Sequence, residues 1–131
     1  MATLYIAEDS EMDQRIIKFT LAKFDLFTGV LFFNDGYSLL NHLKCNSRNS
    51  FNLPDIIFLD LWMPVLDGWD FLEAFNTLYH TFSKSIQIYI VSVSIHPADV
   101  KRALAYEFVK DFISKPITKE KLIAISEYVL I

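Results

Sequence analysis

The most restrictive feature of the chain is the run Ile56-Ile57-Phe58-Leu59, apolar without alternation and enclosed by Asp55 and Asp60. A strand with one face in water alternates apolar and polar residues. An uninterrupted run suits a strand covered on both faces, which is the position of a strand in a parallel sheet flanked by helices. The run is far too short to span a membrane, and so is the segment Ile86 to Ile95, because a span needs about 20 apolar residues.

The rest of the chain repeats this strand-then-helix rhythm. Short apolar runs at Thr3 to Ala7, Val30 to Phe33, Asp55 to Asp60, Ile86 to Val93 and Val109 to Ile113 read as strands. Amphipathic stretches follow each of them. Ser10, with Asp13 three residues on, resembles a capping box ahead of Ile16, Ile17, Leu21 and Phe24. Gly29 lies beyond that helix; Asp35 caps a helix over Gly36 to Lys44 that carries Leu39, Leu40 and Leu43. Cys45 to Asn52 is polar and reads as a loop. The Asp67-Gly68 turn precedes a stripe of Trp69, Leu72, Phe75 and Leu78. Pro97 opens a helix over Val100 and Leu104, and Thr118 caps a last helix bearing Leu122, Ile125 and Val129. Strands each followed by a helix, with short connections, predict an α/β fold: a doubly wound parallel sheet with right-handed crossovers and one reversal of strand order. Ligands of such sheets sit outside the carboxyl ends of the strands.

Composition narrows the function classes. A chain of 131 residues is read as one domain over residues 1–131, and 53% hydrophobic residues with a net charge of −4 exclude a disordered chain. The acidic balance gives no footprint for direct nucleic-acid binding. The lone Cys45 has no internal disulfide partner, and Glu8-Asp9 interrupt the N-terminus before a signal peptide's apolar region forms. These features predict a cytoplasmic protein with no membrane role.

Chemistry is then sought at the strand ends. The first strand ends in Glu8-Asp9, the third in Asp60 and the fourth in Ser92, and the fifth is followed by Lys115-Pro116. Clustered carboxylates from the first and third strands repel one another unless a cation compensates. Few, hard oxygen ligands that leave room for water and phosphate suit Mg2+ better than a caged Ca2+. Lys115 offers a point charge and Ser92 a hydroxyl to phosphate oxygens, which leaves Asp60 as a nucleophile toward phosphorus.

These residues, in this order and at these intervals, resemble the receiver domains of two-component response regulators, over nearly the whole chain. Glu8-Asp9 is similar to the family's metal-binding acid pair and the segment Leu59 to Gly68 to its phosphoacceptor segment. Ser92 stands where the family has Thr or Ser, Lys115-Pro116 matches its Lys-Pro pair, and Phe112 falls at its aromatic switch position. The resemblance implies a flavodoxin-like (βα)5 fold with strand order 2-1-3-4-5, closest to the single-domain, chemotaxis-type receivers. It implies that Asp60 accepts a phosphoryl group from a sensor histidine kinase or a histidine phosphotransfer protein. Mg2+ is then held by Asp9 and Asp60 directly, by Glu8 through water and by the Trp62 backbone carbonyl. Lys115 and Ser92 contact the acyl phosphate, and Ser92 and Phe112 shift to change how the last elements bind a downstream target, as a monomer or weak dimer. Such a domain is a self-modifying switch rather than a multiple-turnover enzyme, and it carries no organic cofactor.

The chain also departs from the family. Phe108 stands where Gly is usual, Val93 where a smaller residue is common and Trp62 where polar residues are frequent. Trp62 and Val93 are expected to restrict attacking water and lengthen the phosphorylated lifetime. Simpler roles exist for several residues: Glu8 and Asp9 as helix-capping acids, Phe112 as a core aromatic, Lys101-Arg102 as a solvated helix face and His96 as a solvated loop residue. His42, His80 and His96 share no ligand spacing, and Cys45 has no activating base. An aspartyl phosphatase would need a second acid two residues after its nucleophile, where this chain has Trp62. A flavin carrier would need a phosphate loop where this chain has Glu8 and Asp9. A receiver fold that binds partners without phosphorylation is the remaining alternative.

Overall fold

The strands pair in parallel in the order β2-β1-β3-β4-β5, with β1 at Ala2–Ala7, β2 at Phe27–Phe33, β3 at Ile56–Leu59, β4 at Gln87–Ser92 and β5 at Val109–Ser114. The order follows from burial: β3, apolar on both faces, takes the centre between β1 and β4. The helices are α1 (Glu11–Ala22), α2 (Gly36–Cys45), α3 (Gly68–Leu78), α4 (Pro97–Leu104) and α5 (Lys119–Tyr128). This computed structural model describes residues 1–63, 65–93 and 95–128. The predicted core position Val129 lies outside them.

Strand periodicity sorts the core into two layers. Leu4, Ile6, Ile56, Phe58, Tyr89 and Val91 face one side and pack with Ile17 of α1 and Leu122 and Ile125 of α5. Tyr5, Ala7, Ile57, Leu59, Ile88 and Ile90 face the other and pack with Leu39 and Leu43 of α2, Phe71, Leu72 and Phe75 of α3 and Ala103 of α4. Burying both faces removes enough apolar surface to hold the strands, at roughly 25 cal/mol per Å2.

Local chemistry sets the helix ends. Asp35 Oδ1 accepts from Ser38 N at 2.7 Å, Asp67 Oδ1 from Asp70 N at 2.8 Å and Thr118 Oγ1 from Lys121 N at 3.1 Å. His96 is a cap rather than a free loop residue: its Nδ1 accepts from Ala98 N at 3.3 Å, just ahead of Pro97 in the first turn of α4. Gly29 lies inside β2, paired with Thr3, so the strand starts earlier than its polar-looking beginning suggests. Cys45 ends α2, and a 3-10 turn at Ser50–Asn52 interrupts the polar loop. Arg102 is not merely solvated; its guanidinium lies 4.0 Å over the Trp69 ring, tying α4 to α3.

Gly68 is needed for a close approach. A Cβ there would meet Leu61 Cα at 2.5 Å and Asp60 O at 2.8 Å, while Gly68 N donates to Leu61 O at 2.8 Å. The N-terminus of α3 therefore presses on the backbone that carries Asp60. In the same loop Val65 has φ 69, a left-handed conformation that a β-branched residue adopts only under strain.

Candidate functional site

The sheet ladder runs one residue past the strand ends and positions the polar side chains there. Glu8 N donates to Phe33 O at 2.9 Å, Asp60 N to Ala7 O at 3.1 Å and Lys115 N to Ser92 O at 2.8 Å. Because β1 and β3 are neighbours, Glu8, Asp9 and Asp60 each bring a carboxylate oxygen to within 4.8 Å of the others. Glu8 and Asp60 are buried and Asp9 is exposed, so the cluster opens to solvent through Asp9.

Lys115, the residue after β5, closes the cluster. Its ammonium pairs with Glu8 Oε1, with Asp13 Oδ2 at 2.9 Å and with Asp60 Oδ2 at 3.2 Å. Ionising Glu8 is costly because it is only 2% exposed. Its carboxyl is pushed from an ordinary 4.5 up to about 7, chiefly by burial and further by the neighbouring Asp60, although Lys115 pulls it down. For Lys115, burial works to lower the pKa, but the carboxylates of Glu8, Asp13 and Asp60 outweigh it and hold the ammonium above its ordinary range.

The other predicted site residues lie on the loop after β3, on β4 and on β5. Trp62 N donates to Asp60 Oδ1 at 3.1 Å, which holds the Trp62 backbone beside the carboxylate while its side chain is 56% exposed. Ser92 is fully buried, yet among the described residues its Oγ has no hydrogen-bond partner. A buried hydroxyl without a partner forfeits about 1–3 kcal/mol, so such an atom asks for a reason. Phe112 is already buried on the α2–α3–α4 side of the sheet. Phe108 fills the core under α3, the ladder skips a residue at the entry to β5, where Ile88 pairs with Val109 and Tyr89 with Asp111, and Val93 is exposed.

Two contributors escaped the sequence reading. Asp13 looked like half of a capping box, but only its backbone N–H meets Ser10 Oγ, at 3.2 Å. Gln14 is a buried polar residue on α1 whose Nε2 donates to Glu8 O at 2.6 Å and Asn34 Oδ1 at 2.9 Å, bracing the loop that carries the acid pair. A polar residue on the inward face of an amphipathic helix was the available signal for Gln14. For Asp13 there was none, because its partner is 102 residues away.

The hard-oxygen donor set fits a small divalent cation. Its oxygens lie within 4.8 Å of one another, and side-chain movement of about an ångström or more would bring them to the roughly 3–4 Å separations of oxygens sharing an ion bound at about 2.1 Å.

The family model for the response regulator receiver domain matches residues 4–127. The chain belongs to that family. The receiver is 30% identical over 119 residues to hybrid signal transduction histidine kinase I of Dictyostelium discoideum, covering 89% of this chain and 6% of that relative's length. Among solved structures it resembles a response regulator receiver protein of Dyadobacter fermentans, 26% identical with TM-score 0.81 over 98% of this chain and 97% of the other. It also resembles the phosphorylated cyanobacterial phytochrome response regulator RcpA, 26% identical with TM-score 0.71 over 98% and 90%. The receiver fold, with strand order 2-1-3-4-5, accounts for every strand described.

Proposed function

We propose that the chain is a phosphoacceptor receiver of a two-component signalling system, with Asp60 as the residue modified. The observation that carries this reading is the meeting of Glu8, Asp9 and Asp60 beside the Lys115 ammonium at the carboxyl end of the central strands. In the reaction an Asp60 carboxylate oxygen forms a bond to phosphorus. The bond from phosphorus to the donor's imidazole nitrogen breaks, and the electron pair leaves with the imidazole. Asp9, Asp60, Glu8 and the Trp62 carbonyl would hold Mg2+, which supplies charge neutralisation for the transferring phosphoryl group. Lys115 donates to a phosphoryl oxygen, and the unpartnered Ser92 hydroxyl gains an acceptor there, which gives its burial a purpose.

The new group adds about −1.5 to −2 charge at the strand ends. Movement of Ser92 toward it frees space beside Phe112, whose ring, already buried, repacks rather than entering from solvent. The face of α4, β5 and α5 then changes its affinity for a downstream protein, a shift between two populated states. The donor is a histidine kinase or histidine phosphotransfer protein, and the phosphorylated RcpA relative is a precedent for modification of such a fold. The chain acts as a switch rather than a multiple-turnover enzyme. Among the described residues no helix is long and apolar enough to cross a membrane, which accords with a cytoplasmic site of action.

The test is intact-mass spectrometry after incubation with Mg2+ and a small phosphodonor. The native chain gains one phosphoryl group, chelation of the metal suppresses the gain, and Asp60→Asn abolishes it. No gain in the native chain under donor excess, or an equal gain in Asp60→Asn, overturns the assignment.

A further inference from the structure

In a capping box the side chain of the third helical residue returns to the backbone N–H of the cap residue. Here that N–H, of Ser10, donates to Glu8 Oε2 at 3.1 Å, so the Asp13 carboxylate is released from local duty. It turns instead to Lys115, at a shorter distance (2.9 Å) than Asp60 reaches (3.2 Å). An ammonium has three N–H donors, and Glu8, Asp13 and Asp60 occupy all of them. Any phosphoryl oxygen that Lys115 contacts must therefore displace one of these carboxylates.

We infer that Asp13 is the partner displaced: a positioning residue that holds Lys115 in the unmodified receiver and competes with the phosphoryl group for it. The inference rests on the phosphoacceptor reading above. Exposure selects Asp13 among the three. Its side chain is 30% exposed, against 3% for Glu8 and 9% for Asp60, so water can take over its hydrogen bond at the lowest cost. The released carboxylate also stays in the first turn of α1, where the helix dipole favours a negative charge. Modification of Asp60 thus unties the start of α1 from the loop after β5, and the Asp13–Lys115 pair weights the equilibrium toward the unmodified form.

The experiment measures beryllofluoride affinity at saturating Mg2+ by fluorine NMR, for the native chain, Asp13→Asn and Asp13→Glu. Asp13→Asn keeps the size of the side chain and the Ser10 cap, which uses only the backbone N–H. It is expected to bind roughly three- to tenfold more tightly, the range of one partly exposed ion pair. Asp13→Glu, which restores the competing charge, returns toward the native affinity. In a Lys115→Met background, Asp13→Asn has no further effect, and in the ligand-free protein it shifts the Lys115 ammonium resonance. Unchanged or weaker binding by Asp13→Asn overturns the inference, as does an effect that persists without Lys115. Absence of binding by the native chain overturns the phosphoacceptor reading itself, a different result from native binding that Asp13→Asn leaves untouched.

Discussion

The two ends of the same sheet are built on opposite rules. At the carboxyl end, buried carboxylates crowd one ammonium, a buried hydroxyl has no partner among the described residues and a valine is held at positive φ. At the amino end, Phe75 packs on Phe108 at 4.7 Å, Phe82 at 5.6 Å and Phe71 at 5.9 Å between ring centroids. Tyr79 joins this cluster and donates its hydroxyl to Glu107 at the rim. A cavity of about 320 Å3 there has these rings on one side and Lys84, Gln87, Glu107 and Lys110 among its other lining residues. The carboxyl end gathers charged groups in costly places, whereas the amino end, although among the described residues it too has a buried oxygen without a partner at Gln87, recovers stability from apolar packing. The difference teaches where each property resides: reactive charge is tolerated at one rim because the fold is secured at the other.

The largest effect is expected from breaking the secure end. Phe75 is fully buried, and Phe75→Ala removes its ring from every one of these contacts. Deletion of a buried aromatic costs about 3–5 kcal/mol, read as a lower denaturant midpoint. While the variant is folded, its beryllofluoride affinity stays native, because no atom of the site is touched. A large loss of affinity in folded Phe75→Ala would show that the two ends are not separable.

The same division explains what could be read in advance. The fold was legible because strands buried on both faces are apolar without interruption and capping residues are local. Ile56 to Leu59 reveals the centre of the sheet, and Asp35, Asp67 and Thr118 mark helix starts within a few residues of themselves. The acid pair, Asp60, Ser92 and Lys115 were legible because each terminates or follows a strand. Asp13 was not, since only the folded chain shows that Glu8 has taken over the Ser10 N–H. Arg102 over Trp69 and the early start of β2 were hidden for the same reason: tertiary contacts set them, not neighbours in sequence.

A smaller effect sharpens the contrast at the charged end. Glu8 has a folded pKa of about 7 against an ordinary 4.5, so between those values the folded chain binds more proton than the unfolded one. The stability contributed by this group is fully present below about pH 4.5 and is lost as pH rises through about 7. Lys115, held above its ordinary range, stays charged throughout that window. The unfolding free energy of the metal-free chain, followed by urea midpoints, should therefore fall between about pH 5 and about pH 8, by on the order of 2 kcal/mol. Glu8→Gln flattens that dependence. Added Mg2+ opposes the fall, since the ion prefers the ionised carboxylate and binds more tightly as Glu8 deprotonates. A midpoint independent of pH in the native chain would mean that the fold does not strain this carboxyl.

The smallest effect concerns the mouth of the site. Water that hydrolyses an acyl phosphate on Asp60 must approach from the solvent side, where Trp62 and Val93 follow Asp60 and Ser92 in sequence. Both side chains are more than half exposed, Trp62 at 56% and Val93 at 71%, so they screen the approach only in part. Trp62→Asn should speed loss of the phosphoryl group by roughly two- to fivefold, equivalent to about 0.4–1 kcal/mol of barrier. The rate is read by following the decay of the phosphorylated mass after donor removal. The substitution keeps the Trp62 N–H that holds Asp60 Oδ1, so a change in decay reports on the side chain rather than on the positioning of the carboxylate. An unchanged rate would assign the phosphorylated lifetime to the buried groups alone, Lys115 and Ser92 foremost, and would leave the apolar rim with no part in the chemistry.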